Sequence, residues 1–170
     1  MDGTIAFAFA VFGLANMAVN DCQTGCLARS YADSRISFQA AGVQFNERWI
    51  SNEIMVGYDF GHRYGPFQPT ASIAATEDGD IWIGAGAKWR ISPGQSDLFF
   101  QGSLQPGFHL RGDGPAIGGS LHFRAALGVG YEFDNGSAIV VSYDHRSNAD
   151  MQAVNPGLET LSIQYSMAFN

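Results

Sequence analysis

From residue 35 onward, apolar and polar residues alternate with a period of two, and no segment carries a convincing helical period. Turn signals break the alternation into eight runs, which predict strands over 35–45, 50–61, 66–76, 80–91, 97–111, 118–133, 137–147 and 158–169. The breaks read NER, HRYG, EDGD, SPGQS, GDGPAIGG, DNG and NADMQAVNPG, and all supply Gly, Asn, Asp, Pro or Ser. DNG, at 134–136, is a short-hairpin signal because Asn and Gly tolerate positive φ.

The two faces of these strands differ in kind. In 80–91, Ile81, Ile83, Ala85, Ala87, Trp89 and Ile91 share one face, with Trp82, Gly84, Gly86, Lys88 and Arg90 on the other. In 118–133, Leu121, Phe123, Ala125, Leu127, Val129, Tyr131 and Phe133 stand against His122, Arg124, Ala126, Gly128, Gly130 and Glu132. In 97–111, Leu98, Phe100, Leu104, Phe108 and Leu110 stand against Gln101, Ser103, Gln105, His109 and Arg111. A soluble lipocalin-like carrier would bury the apolar face. An outer-membrane barrel would turn it to lipid and fill its lumen with polar groups.

Composition favours the membrane barrel, with the soluble carrier kept as a further reading. Only 15% of residues are charged, a single lysine is present, and glycine (21) and aromatics (13%) are plentiful. A solvated exterior usually carries abundant Lys and Glu, whereas small polar residues with charges of both signs (Asp59, Lys88, Arg90, Arg111, Arg124, Glu132, Asp144, Arg146) suit a packed lumen. Mean hydropathy is −0.03, as alternation averages out. The chain closes on SIQYSMAFN, with a penultimate phenylalanine like the terminal signature of bacterial outer-membrane barrels. The expectation is all-β: an eight-stranded antiparallel up-and-down transmembrane barrel of the outer membrane, spanning 35–170. The net charge of −7 and the lack of a basic run exclude nucleic acid as a partner.

Residues 1–34 read as an export-signal-like segment. Its apolar run, Ile5 to Ala15, is too short to span a bilayer as a helix, and Gly13-Leu14-Ala15 has a small-x-small cleavage pattern. Asp2 stands where an export signal places Lys or Arg; the competing reading is an extra strand. Cys22 and Cys26 lack a neighbouring histidine for a metal site and suit a small disulfide loop.

Candidate chemistry gathers around one loop. His145 and Ser147 continue the apolar face of 137–147, and Glu159 heads the apolar face Leu161, Ile163, Tyr165, Met167 and Phe169. The strands are antiparallel, so the three polar groups converge outside the barrel beside the loop 148–157. With the N-terminus in the periplasm, that loop lies outside the cell and the cluster meets the outer leaflet. At i and i+2 the His and Ser Cβ atoms are roughly 6–7 Å apart. A histidine that takes a serine proton, oriented by a carboxylate, is the arrangement of a serine esterase. Rim polar residues are also ordinary in structural barrels, which keeps a non-catalytic structural or adhesive barrel as the alternative. His109 and His122 fall on lumen faces, His62 falls in a turn, and Asp144 and Arg146 point into the lumen as part of a charge network.

The segment HRSNADMQAVNPGLE resembles the active-site signature of the outer-membrane lipid A 3-O-deacylases of the PagL type: His-x-Ser-Asn-Ala, an Asn eight residues after the Ser, then Gly-x-Glu. His145, Ser147, Asn148, Ala149, Asn155, Gly157 and Glu159 match without a gap, and the similarity extends upstream through SLHFRAALGVGYEFDNG. The resemblance implies a Ser147 nucleophile, a His145 acid–base and a Glu159 orienting carboxylate acting on the ester at position 3 of lipid A. An oxyanion hole would come from Asn148, Asn155 or backbone amides of the loop, with Gly157 in support. It implies no metal or cofactor, lipid A or lipopolysaccharide as substrate, outer-membrane lipid as surroundings, and leaves a homodimer open.

Overall fold

A computed structural model describes residues 3–169; Met1, Asp2 of the export-like segment and Asn170 at the expected barrel end lie outside the described residues. The elements are α1 (Thr4–Asn20), β1 (Arg29–Tyr31), β2 (Ser34–Phe45), β3 (Arg48–Asp59), β4 (His62–Tyr64), β5 (Gln68–Thr76), β6 (Ile81–Ile91), β7 (Leu98–Leu110), β8 (Leu121–Glu132), β9 (Ser137–Ser147) and β10 (Leu158–Phe169). Eight of the strands close a barrel in the order β10-β2-β3-β5-β6-β7-β8-β9, every pair antiparallel. The eight-stranded up-and-down barrel expected from the alternation is therefore the fold. The sequence reading missed the short ribbon of β1 and β4, which places His62 at the start of a strand rather than in a turn. Arg111, expected in the lumen, lies beyond the end of β7 and is exposed.

The barrel is polar inside and apolar outside. Ile54, Ile73, Phe108, Val141 and Ile163 are all at least half exposed, whereas Ser37, Gln39, Thr70, Ser72, Gln105 and Gln164 are buried. In water this distribution would leave a continuous apolar belt exposed; against lipid the belt is solvated and the polar groups must pair within the lumen. They do so. Ser72 Oγ donates to Gln105 Oε1 at 2.6 Å, Ser142 and Ser162 hydroxyls bond at 2.8 Å, and Lys88 Nζ reaches Asp59 at 2.8 Å. Trp82 fills the lumen where β6 and β7 carry glycines: a Cβ on Gly84 would sit 2.6 Å from the indole.

The loops 46–47, 77–80, 111–120 and 148–157 share one end of the barrel. The turns 92–97 and 133–136 share the other with the start of β2. The apolar run read as an export segment forms α1, not a strand. It packs on the outer face of β7 and β8, with Phe9 and Gly13 buried and Trp89 Nε1 donating to the Phe9 carbonyl at 2.9 Å. Beyond it, Cys22 and Cys26 are joined as a disulfide. No described helix is long and apolar enough to cross a membrane; the crossing elements are the strands.

Candidate active site

The β9–β10 register sets the site. His145 lies directly opposite Glu159, with Asp144 opposite Thr160 in the next row. Directly opposed residues share a face, so His145 and Glu159 meet outside the barrel while Asp144 and Thr160 meet inside. Outside, His145 Nδ1 lies 3.2 Å from Glu159 Oε1. An ionised carboxylate can only accept, so this contact selects the tautomer with the proton on Nδ1, which in a neutral imidazole leaves Nε2 as the acceptor. Among the described residues that Nε2 is buried without a hydrogen-bond partner.

His145 and Ser147 line one cavity of about 580 Å³, with Leu104, Phe123, Ala125, Ala149, Asp150 and Asn155 from the barrel and Gly3, Ile5 and Ala6 from the helical segment. Ser147 is half-buried at the end of β9 and shares the cavity with the imidazole without bonding to it. Such nucleophile–base contacts are commonly open until substrate fills the site.

Gly157 explains the orientation of the ring. It adopts φ +74°, and a Cβ there would lie 2.5 Å from His145 Cε1. Glycine thus lets the backbone lie against the imidazole, and any side chain would displace it.

The two asparagines do different things. Asn148 is fully buried, and its Nδ2 faces the carbonyls of Val154 at 2.7 Å, Gly118 at 3.0 Å and Ile117 at 3.3 Å. Its two amide protons are thereby taken up in pinning the loop 148–157 to the loop 111–120. Asn155 Oδ1 accepts from the Asn148 amide at 2.9 Å, and its Nδ2 donates to the exposed Asp150 carboxylate at 2.8 Å. Asn155 lines the cavity and Asn148 does not. Ala149 and Asp150, both at positive φ, also line the cavity.

Behind the site the lumen holds four charges. Arg124 Nη2 contacts Asp144 Oδ2 at 2.7 Å and Glu53 Oε1 at 3.0 Å, and Arg146 Nη2 contacts Glu53 Oε2 at 2.7 Å. Asp144 and Arg146 lie in the network assigned to them from sequence. Glu53 was missed, although counting back by twos from Asp59 places it on the lumen face. His109 and His122 also lie inside, their rings 5.3 Å apart, and neither lines the cavity beside Ser147. Among the described residues no cluster of three or more His, Cys, Asp or Glu could hold a metal ion.

Comparison with known proteins points one way. The family model described as Lipid A 3-O-deacylase (PagL) matches residues 68–168, more than half the chain. The Lipid A deacylase PagL of Pseudomonas aeruginosa is 37% identical over 51 residues, an alignment covering 30% of this chain and 30% of that relative. Among solved structures, the crystal structure of the outer membrane enzyme PagL superposes with a TM-score of 0.66 at 18% identity, covering 79% of this chain and 99% of that one. Neisserial surface protein A superposes with a TM-score of 0.59 at 12% identity, covering 84% and 99%. At these identities the superpositions speak for the barrel fold.

Proposed function

The chain belongs to the lipid A 3-O-deacylase (PagL) family, and on that premise we propose that it is an outer-membrane serine esterase that removes the ester-linked 3-hydroxyacyl chain from position 3 of lipid A. The observation that carries the reading is the His145–Glu159 pair on the outer face, with Nε2 unpartnered and with His145 and Ser147 lining one cavity. A lipid substrate in the outer leaflet reaches this face without leaving the membrane.

The chemistry follows from the three groups. Ser147 Oγ attacks the ester carbonyl as His145 Nε2 takes its proton, and Glu159 stabilises the imidazolium through Nδ1–H. Collapse of the tetrahedral intermediate releases the sugar hydroxyl, which takes the proton back from Nε2. Water, deprotonated by the same nitrogen, then attacks the acyl-serine and frees the 3-hydroxy fatty acid. The oxyanion needs donors placed beside Ser147. Asn148 Nδ2 is committed to carbonyls, so the donors are Asn155 Nδ2, released from the exposed Asp150, and the loop amides near Ala149.

The test is mass spectrometry of lipid A incubated with detergent-refolded protein, wild type beside Ser147→Ala. Loss of one 3-hydroxyacyl mass with the wild type alone supports the assignment. Unchanged lipid A with a folded wild-type barrel returns the chain to the non-catalytic, structural reading.

A further inference from the structure

The row of residues directly behind the His145–Glu159 pair is bonded as deliberately as the pair itself. Asp144 and Thr160 are opposite each other on the lumen side, one position from His145 and Glu159 along each strand. Asp144 Oδ2 accepts from the Thr160 hydroxyl and from Arg124 Nη2. Arg124 belongs to β8, so one carboxylate oxygen ties β8, β9 and β10 together at the height of the site. On the other side of His145, Arg146 is anchored to Glu53 of β3. Asp144, Arg146, Arg124 and Glu53 are all buried, and the two anions and two cations balance.

We infer that Asp144 and Thr160 are positioning residues for the esterase, an internal clamp that holds the β9 and β10 backbones in the register at which His145 and Glu159 meet. The inference rests on the proposed function, since it assigns a role in that same reaction. Two physical points support it. First, a period-two strand cannot tilt or slide at residue 144 without carrying residue 145 with it, so fixing the inner row fixes the outer one. Second, the outer pair has no other side-chain hydrogen bond among the described residues: Glu159 has no partner but His145, and lipid supplies no hydrogen bonds to either group. The bond is also local. Elsewhere β9 and β10 are fastened inside by Ser142 and Ser162, a neutral pair two rows away. Between β9 and β10, among the described residues, the charged row lies directly behind His145 and Glu159.

A misplacement of about 1 Å in a reacting group can cost on the order of a hundredfold in rate. Thr160→Val keeps the side-chain shape and removes only the hydroxyl, leaving the four charges paired. The expected result, measured as release of 3-hydroxy fatty acid per folded barrel, is a fall in kcat of about tenfold or more with KM unchanged. Thr160→Ser, which restores the hydroxyl, recovers most of that loss. The Nδ1–H proton resonance of His145 moves in Thr160→Val and returns in Thr160→Ser. Asp144→Asn serves as the second variant, with the same split between kcat and KM. A general loss of barrel stability would lower the folded yield but leave kcat per folded barrel and the imidazole resonance in place. Wild-type kcat and an unmoved resonance in Thr160→Val and Asp144→Asn, beside an active wild type, overturn the clamp while sparing the esterase. An inactive wild type overturns both.

Discussion

Replacing Glu159 by Gln removes one charge from the site and almost nothing else. The carboxylate oxygen lies 3.2 Å from His145 Nδ1, and both side chains are mostly shielded. In the proposed mechanism the imidazole takes up a proton as Ser147 attacks, so the carboxylate would act chiefly on the transition state. At an effective dielectric constant of about 20, opposite unit charges at that distance attract by about 5 kcal/mol. Each 1.36 kcal/mol is tenfold in rate, which sets a ceiling of nearly four decades. The glutamine amide can still accept the Nδ1–H bond, so part of the interaction survives. The expected loss is about 10²–10⁴ in kcat, with KM little changed. The assay is timed release of 3-hydroxy fatty acid from lipid A in detergent, normalised to the heat-shifted folded band on gels. A Glu159→Gln enzyme within about threefold of wild type would refute the orienting role of the carboxylate, whatever its distance.

Three further outcomes follow from the same geometry. Gly157→Ala places a Cβ against His145 Cε1 at a positive-φ position, so activity should fall by about tenfold or more while the barrel still folds; wild-type turnover would show that the ring is not held by this backbone. Asn148→Ala removes the pin between the loops 111–120 and 148–157. It should cost about 1–3 kcal/mol locally, seen as faster amide exchange in 148–157, and unchanged exchange would contradict the pin. Glu53→Gln leaves Arg124 and Arg146 facing a neutral amide in the lumen. Unfolding should become easier by about 3–5 kcal/mol, read from the guanidinium midpoint, and an unmoved midpoint would mean that the buried quartet contributes little.

The barrel was legible because one physical rule governs it. A strand with lipid on one side and a polar lumen on the other must alternate, and turn residues punctuate it; β6, β9 and β10 were read to within a residue of their ends. The His145–Glu159 meeting was legible for the same reason, since two antiparallel strands joined by one loop bring matching faces together. What sequence could not give was anything that depends on packing from outside a strand pair. The helix over residues 4–20 docks against Trp89 and Phe67, and no local pattern announces those contacts. Asn148, Asn155 and the loop amides stood as alternative oxyanion donors, and the three carbonyls around Asn148 Nδ2 are a feature no sequence pattern announces. Glu53 was overlooked because its value comes from Arg124 and Arg146, far away in sequence and adjacent in the lumen. The β1–β4 ribbon, three residues on each strand, is too short for periodicity to reveal.

The claim that Ser147 is the nucleophile is tested most directly by titrating the refolded protein with a long-chain alkylsulfonyl fluoride and mapping the modified peptide by mass spectrometry. If it is the nucleophile, activity falls in proportion to one label per chain, the label sits on Ser147, and His145→Ala takes up none. Loss of activity with Ser147 unlabelled, or labelling of another residue that tracks the loss, would contradict it.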